Sequence, residues 1–178
     1  MAAPRQAATK RSDDTGAQTK TQKITTFLWF DTQAEEAVKF YASVFKNAKI
    51  LKTVLYGDEG PRPKGTVMVI DFELDGQKFT ALNGGPEFKF NESISLVVNC
   101  KTQEEIDYFW EKLSQGGQKI ECGWLKDKYG LAWQIVPEAL EDLLSEEDPE
   151  KTNRVMKEVM KMKKLDLKKL QQAAANKS

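Results

Sequence analysis

A repeated order of elements constrains the fold of this sequence more than any other feature. The Phe40-Tyr41 and Phe109-Trp110 pairs lie 69 residues apart, and the same separation relates Glu35-Glu36 to Glu104-Glu105. The hydrophobic pattern around each pair predicts a strand, a helix and then further strands. Two similar segments at one separation indicate tandem copies of one supersecondary unit. We therefore predict an α+β fold built from two β-α-β-β-β units.

The first unit gives the clearest pattern. Its elements are predicted as a strand over 24–30, a helix over 33–45, a strand over 50–56 and a hairpin with strands over 66–74 and 78–82. Asp75-Gly76 is typical of a tight hairpin turn. The last strands of the two units align at Gly76 and Gly130, a separation of 54 residues, so the second unit is the shorter one. Side by side, the two units predict a curled mixed sheet around a shared cleft.

Composition divides the chain into three parts. Residues 1–22 contain no Leu, Ile, Val or aromatic residue, so they cannot bury enough apolar surface to offset their ordering entropy and are predicted to form a disordered tail. A weak organelle-targeting role for this tail stays open. Residues 23–137 form the predicted domain, with units at about 23–90 and 91–137, and residues 138–178 form a predicted C-terminal helical extension.

Helix signals in the extension are strong. Asp148 followed by Pro149 is typical of a helix start, and Asp166 is predicted to cap a second helix that runs to Ala175. The first of these helices has an apolar face that we expect to dock on the domain or on a second subunit. Its residues are Val155, Met156, Val159, Met160 and Met162.

Composition also excludes several functions. The chain has no His, which excludes Ser-His-Asp and Cys-His catalysis and any His-ligated metal. Its 27 basic residues balance 27 acidic ones, so we expect no nucleic-acid partner. No apolar stretch is long enough to span a membrane. The two cysteines, Cys100 and Cys122, are predicted to be core thiols of a cytoplasmic protein.

Four segments resemble the vicinal oxygen chelate superfamily, which includes glyoxalase I, bleomycin-resistance proteins and extradiol dioxygenases. They are FLWFDTQAEEAVKFYASVF at 27–45, DGQKFTALNGGPEFKFNESISLVV at 75–98, QEEIDYFWEKLSQGG at 103–117 and CGWLKDKYGLAWQIVP at 122–137. Within the superfamily, the chain is similar to the PhnB-like branch, often labelled 3-demethylubiquinone-9 3-methyltransferase. The resemblance covers about residues 24–170 and implies the same two-unit fold.

The resemblance also implies where a metal site would lie. In metal-dependent relatives, each unit supplies a His or Gln from its first strand and a Glu from its last. The matching positions here are Thr26 and Thr80 in the first unit and Ser95 and Gln134 in the second. Their neutral oxygens are too weak a set to hold a catalytic divalent ion against water. We therefore expect no metal ligands and no cofactor, with a weakly held divalent ion left open.

A cleft of this kind suits a small organic ligand, because it combines apolar walls with a few placed polar groups. Beside the four positions named above, we predict Phe30, Phe88, Trp124 and Trp133 as ligand-binding residues. Glu87, in the connection between the units, is the candidate catalytic base. A solvated Glu in a turn is the alternative interpretation of that residue.

Three functions remain compatible with the sequence. The first is a metal-free protein that binds a small molecule, and the second is a lyase or isomerase that uses a cleft carboxylate or a weakly held ion. A structural role is the third. Methyl transfer is unsupported, since the glycine-rich strand-to-helix turn of a doubly wound nucleotide site is missing. We expect a homodimer, as in other members of the superfamily.

Overall fold

The computed structural model of the protein describes residues 22–144 and 148–176. The prediction of a disordered tail over 1–22 therefore falls, apart from Gln22, outside the described residues. No helix in the described part of the chain is long and apolar enough to cross a bilayer.

The first unit forms a four-stranded mixed sheet with one helix. Its elements are β1 (Thr26–Phe30), α1 (Ala34–Val44), β2 (Ala48–Leu55), β3 (Val67–Leu74) and β4 (Gln77–Asn83). The strand order is β1-β4-β3-β2, with β1 parallel to β4 and the other pairs antiparallel. Asp75 and Gly76 both have positive φ, of 44° and 85°, as the predicted two-residue hairpin turn requires.

The second unit repeats this arrangement. Its elements are β5 (Ser95–Cys100), α2 (Gln103–Ser114), β6 (Gln118–Lys119), β7 (Trp124–Lys126) and β8 (Ala132–Pro137). The strand order, β5-β8-β7-β6, is that of the first sheet, and β5 is parallel to β8. The predicted α+β fold of tandem β-α-β-β-β units is confirmed, as two separate four-stranded sheets.

Tyr41 of α1 shows how the two units pack together. Its ring stacks on Phe72 of the first sheet at 6.4 Å and lies 5.5 Å from Trp133 of the second sheet. All three side chains are at most 2% exposed and belong to one apolar core. The faces of the two sheets that pack on the helices are thus turned toward each other. The opposite faces, called the outer faces below, point away from this core.

The C-terminal extension contains α3 (Ala139–Leu143), α4 (Pro149–Val159) and α5 (Leu167–Ala175). The predicted caps are confirmed, because Asp148 accepts from the Lys151 backbone N–H and Asp166 from that of Lys169. The helices form a second core with the domain. Its buried residues are Val155, Val159, Met162, Leu165 and Leu170.

The docking face predicted for α4 is confirmed only in part. Val155 and Val159 are buried, whereas Met156 and Met160 are 38% and 65% exposed. The chain after α4 is anchored by its backbone. The Cys122 N–H donates to the Met162 carbonyl and the Gly123 N–H to the Lys163 carbonyl, both at 2.7 Å.

Candidate ligand-binding site

A cavity of about 350 Å³ lies at the carboxyl end of β1, where the two units and their connection meet. It is called the aromatic cavity here, because five of its ten lining residues carry aromatic rings. The lining residues are Trp29, Phe30, Asp31, Gln33, Pro86, Phe88, Lys89, Phe90, Tyr129 and Gly130. Strand β1, the connection between the units and the β7–β8 turn all contribute to it, so the tandem arrangement itself creates the cavity.

The rings around the aromatic cavity meet edge to face. Phe88 lies 4.9 Å from Trp29 at an interplanar angle of 82°, and Phe90 lies 5.1 Å from Phe30 at 71°. Tyr129 lies 6.0 Å from Phe30 at 87°. Edge-to-face contacts align the positive ring edge with a negative ring face and stabilise this relative orientation. The contacts between the rings therefore favour the observed orientation of the walls.

Trp29 is held in place by the loop that follows β4. Its indole N–H donates to the Gly85 carbonyl at 2.9 Å. A Cβ at Gly84 would overlap the Trp29 ring, so the absence of a side chain there lets the loop lie against the indole.

The turn that carries Tyr129 is organised by the buried carboxylate of Asp127, which is 2% exposed. Its Oδ1 accepts from the backbone N–H groups of Tyr129 at 2.9 Å and Leu131 at 3.1 Å. Its Oδ2 accepts from the Tyr41 hydroxyl at 2.8 Å and the Trp133 indole N–H at 2.9 Å. Four donors from both units thus converge on one carboxylate. Asp127 joins the units and fixes the turn that forms one wall of the aromatic cavity.

Glu36 of α1 fixes the Tyr129 ring from outside. It accepts from the Tyr129 hydroxyl at 2.8 Å and from Lys128 Nζ at 2.7 Å. The hydrogen bond from Lys128 is the largest cause of a lowered Glu36 pKa. Burial, followed by the hydrogen bond to Glu36, raises the pKa of Tyr129 to about 12. The phenol therefore stays protonated near neutral pH and keeps donating to Glu36.

Burial raises the pKa of Asp127, and its hydrogen bonds from Trp133 and Tyr41 oppose the rise only in part. The folded state therefore binds the Asp127 proton more tightly than the unfolded state does. Consequently, the stability contributed by this group falls as pH rises from about 4 through the raised pKa. We expect the free energy of unfolding of wild type, minus that of Asp127→Asn, to decrease over this range in urea titrations. A difference that grows with pH would contradict the prediction.

Several predicted site residues lie on the outer faces instead of the aromatic cavity. Thr80 donates to Asp71 Oδ1 at 2.7 Å, and Gln134 Nε2 donates to Ser95 Oγ at 2.8 Å. Trp124 lies opposite Gln134 across the β7–β8 pair and is half-buried. Because each unit presents its own outer face, Thr80 and Gln134 do not meet in one cleft of the chain.

Thr26 lies on the opposite side of its sheet from Thr80. In the register of β1 and β4, Thr26 is opposite Phe79, while Thr80 is opposite Phe27. In the second unit Gln134 is opposite Val97, which is 70 residues after Phe27, although the helices repeat at 69. The loop between strand and helix is one residue longer in the first unit. The structural counterpart of Ser95 is therefore Thr25. The sequence prediction used the helix separation of 69 and so assigned Thr26, one residue too late.

The other predicted residues are divided between two places. Phe30 and Phe88 line the aromatic cavity. Thr26, Ser95 and Trp133 line a separate groove of about 550 Å³ between β1 and β5. The ring of Trp133 itself is 2% exposed and part of the core between the sheets.

Glu87 is exposed and does not line the aromatic cavity, although its neighbours in the loop do. Its carboxyl group folds back along the loop, so that a Cβ at Gly85 would lie 3.2 Å from the Glu87 Cδ atom. This placement agrees with the alternative interpretation of Glu87 as a solvated turn residue.

The donor chemistry does not fit a catalytic divalent ion. Within the described ranges, no three Cys, Asp or Glu side chains lie close enough together to hold a metal. The outer-face positions offer hydroxyl and amide oxygens, and the nearby carboxylate of Asp71 already accepts from Thr80. Such a set binds Mg²⁺ or Mn²⁺ too weakly to displace water from the ion.

Comparison with known protein families shows to which family the chain belongs. The sequence profile of the 3-demethylubiquinone-9 3-methyltransferase family matches residues 22–136. The chain belongs to this family. The resemblance to the PhnB-like branch of the vicinal oxygen chelate superfamily is thereby confirmed. The match ends before α3, so the C-terminal extension lies outside the part that defines this PhnB-like family.

Solved structures agree with this assignment. A PhnB protein from Bacillus cereus is 41% identical, with a TM-score of 0.61 over 65% of this chain and 99% of the other. Protein PA1353 from Pseudomonas aeruginosa is 19% identical, with a TM-score of 0.55 over 66% of this chain and 98% of the other. The fosfomycin resistance protein FosX from Listeria monocytogenes is 15% identical, with a TM-score of 0.52 over 71% of this chain and 98% of the other. The last two share the fold. A comparison with curated proteins finds no match.

Proposed function

We propose that this PhnB-like protein binds a small organic molecule in the aromatic cavity and needs no tightly held metal ion to do so. The observation that carries the proposal is the set of rings held edge to face around about 350 Å³. Cavities of roughly 300–1,000 Å³ with apolar walls and a few polar groups are typical of small-molecule sites.

The walls favour a flat, mostly apolar ligand. The indole N–H of Trp29 and the hydroxyl of Tyr129 already donate within the protein, so the rings offer their faces and edges. Their mutual contacts and the bonds of Asp127 hold these rings in position before a ligand arrives. Rigid walls lower the ordering cost of binding.

Catalysis is the less favoured alternative. Glu87 does not line the aromatic cavity. The methyl transfer in the family description is not proposed for this chain, because Gly84-Gly85 leads into the loop before β5 and not into a helix that could bind a phosphate.

Phe88→Ala is the variant that tests the aromatic cavity. A thermal-shift screen first identifies a ligand, since binding to the native state raises the melting temperature. We expect the alanine variant to bind that ligand about tenfold more weakly, because one large ring contact is lost. Isothermal titration calorimetry measures the change. Phe88 is 64% exposed, so the variant is expected to fold normally.

Met160→Ala is the matched control for this experiment. Met160 is 65% exposed and lies next to α4, outside the aromatic cavity. We expect its affinity for the ligand to equal that of wild type. Equal affinities of all three proteins would rule out the aromatic cavity as the binding site.

We also propose that the protein is a homodimer in which the outer sheet faces of two copies meet. Phe27 on the first sheet and Val97 on the second are 56% and 51% exposed, although each is paired within its sheet. The two sheets are repeats of one unit, so the outer face of one copy's first sheet matches the second sheet of the other copy. In a dimer with a two-fold axis, both outer faces of each copy are then covered by the other copy.

Phe27→Glu is expected to make the protein monomeric, because it places a charge in the apolar contact. Light scattering should give twice the 20.2 kDa chain mass for wild type and the chain mass for the variant. Lys168→Glu, which changes the charge of an exposed residue of α5 away from the outer sheet faces, should remain dimeric. A monomeric wild type at micromolar concentration would refute the dimer.

The free cysteines support the proposal of a cytoplasmic location. Cys100 and Cys122 are unpaired. Burial raises the pKa of Cys100 to about 12, which makes it an inert core thiol. Such unpaired thiols are typical of proteins in a reducing compartment.

A further inference from the structure

Resting on the proposed function, we infer that the ligand of the aromatic cavity is a planar aromatic carboxylate whose anionic group is bound by Lys89 and Gln33. Apart from the aromatic residues, the cavity lining includes three residues with polar side chains, Asp31, Gln33 and Lys89. The partners that these three residues already have decide which chemistry remains available to a ligand.

Asp31 is already engaged. Its Oδ1 accepts from the Arg62 guanidinium at 2.9 Å, and the side chains of Arg62 and Asp31 are 23% and 47% exposed. The charge of Arg62 offsets that of Asp31. The negative wall of the aromatic cavity is therefore neutralised before a ligand binds.

Gln33 and Lys89 retain donors. Gln33 Oε1 accepts from the Thr32 N–H at 3.2 Å, while its amide N–H groups have no acceptor in the described part of the chain. Lys89 lies between Phe88 and Phe90 in the loop and forms no ion pair with residues 22–144 or 148–176. These two lining residues thus leave donors available, one of them cationic, and such donors suit a ligand with oxygen acceptors.

A cationic ligand is disfavoured by the rings as well. Lys128 Nζ lies 5.0 Å from the centroid of the Tyr129 ring and 5.2 Å from that of Phe40. The negative ring face that would attract an ammonium ligand to Tyr129 is therefore already occupied by a lysine. Lys128 itself is ion-paired with Glu36, so Lys89 is the cationic group that the described cavity lining leaves unpaired.

Two probes of the same shape test the inference. One is 2-naphthoate and the other is 2-naphthamide, which replaces the carboxylate by a neutral amide. Wild type is expected to bind the acid about threefold more tightly than the amide, as for a single exposed ion pair. Calorimetry in about 0.5 M salt should reduce this preference, because salt screens the pair.

Lys89→Gln is expected to bind 2-naphthoate and 2-naphthamide with equal affinity, because the charge that distinguishes the two probes no longer has a partner. Lys168→Gln, which removes an exposed lysine of α5, should keep the preference of wild type. The inference is overturned if wild type binds both probes equally, if the preference survives in Lys89→Gln, or if 2-naphthylmethylamine binds more tightly than the acid.

The outcomes separate this inference from the proposed function. Binding of 2-naphthamide that is as tight as that of the acid, and that is weakened by Phe88→Ala, would keep the aromatic cavity as a site and discard its anion preference. If neither probe binds but a screened ligand is lost in Phe88→Ala, only the inference fails. If no compound depends on Phe88, both fail.

Discussion

Asp127→Ala is expected to lower the free energy of unfolding by about 3–4 kcal/mol, because the donors that converge on this carboxylate lose their acceptor. Two of them, the Tyr41 hydroxyl and the Trp133 indole N–H, belong to side chains that are at most 2% exposed. Water cannot replace the carboxylate there without opening the contact between the units. Urea unfolding followed by circular dichroism measures the loss.

Two further variants make the test specific. Asp127→Asn keeps one acceptor oxygen, so we expect a smaller loss of about 1–2 kcal/mol. Asp58→Ala removes an acid whose ion pair with Lys64 is fully at the surface, with 74% and 68% side-chain exposure. That change should cost less than about 0.5 kcal/mol. A loss in Asp127→Ala as small as in Asp58→Ala would show that the buried network contributes little.

Gly117→Ala is expected to destabilise the second unit by about 3 kcal/mol, since the new methyl group would meet backbone atoms that cannot move aside. A Cβ at this position would overlap the Lys126 carbonyl oxygen and lie 2.7 Å from the Asp127 carbonyl carbon. The close approach is needed where the chain enters β6 and pairs with β7. The same unfolding measurement applies.

Gly57→Ala is the matched control for Gly117→Ala. A Cβ at Gly57 meets no atom within 4 Å in the described structure, and its φ is not positive. This variant should be as stable as wild type or slightly more stable, because alanine reduces the freedom of the unfolded chain. Equal stability of the two variants would show that the backbone around Gly117 is free to adjust.

The repeat in the sequence was sufficient to predict the fold. Helix spacing carried the prediction, because Tyr41 and Trp110 are both buried at a separation of 69. The helix spacing did not predict the register of the strands. One additional residue between β1 and α1 shifts the strands to a separation of 70, and a shift of one residue turns every side chain to the other face. Thr26 was misplaced for this reason.

The candidate site was predictable only in part. Phe30 and Phe88, which the sequence predicts as aromatic ligand-binding residues, line the aromatic cavity, away from the outer-face positions with which the prediction grouped them. Trp29 and Tyr129 were missed, since they reach the same cavity from different units and no local pattern joins them. In the sequence, Asp127 lies in a polar segment before Gly130 and has the pattern of an ordinary turn residue. Only the packing of α1 against the β7–β8 turn brings Tyr41 to it.

The central claim is that the aromatic cavity binds an organic ligand without a metal ion. The most direct measurement is the affinity of the screened ligand for wild type and for Phe88→Ala, each before and after treatment with EDTA. We predict that EDTA leaves both affinities unchanged and that Phe88→Ala binds about tenfold more weakly. Loss of binding on EDTA treatment that Mn²⁺ restores, or equal affinities of wild type and Phe88→Ala, would contradict the claim.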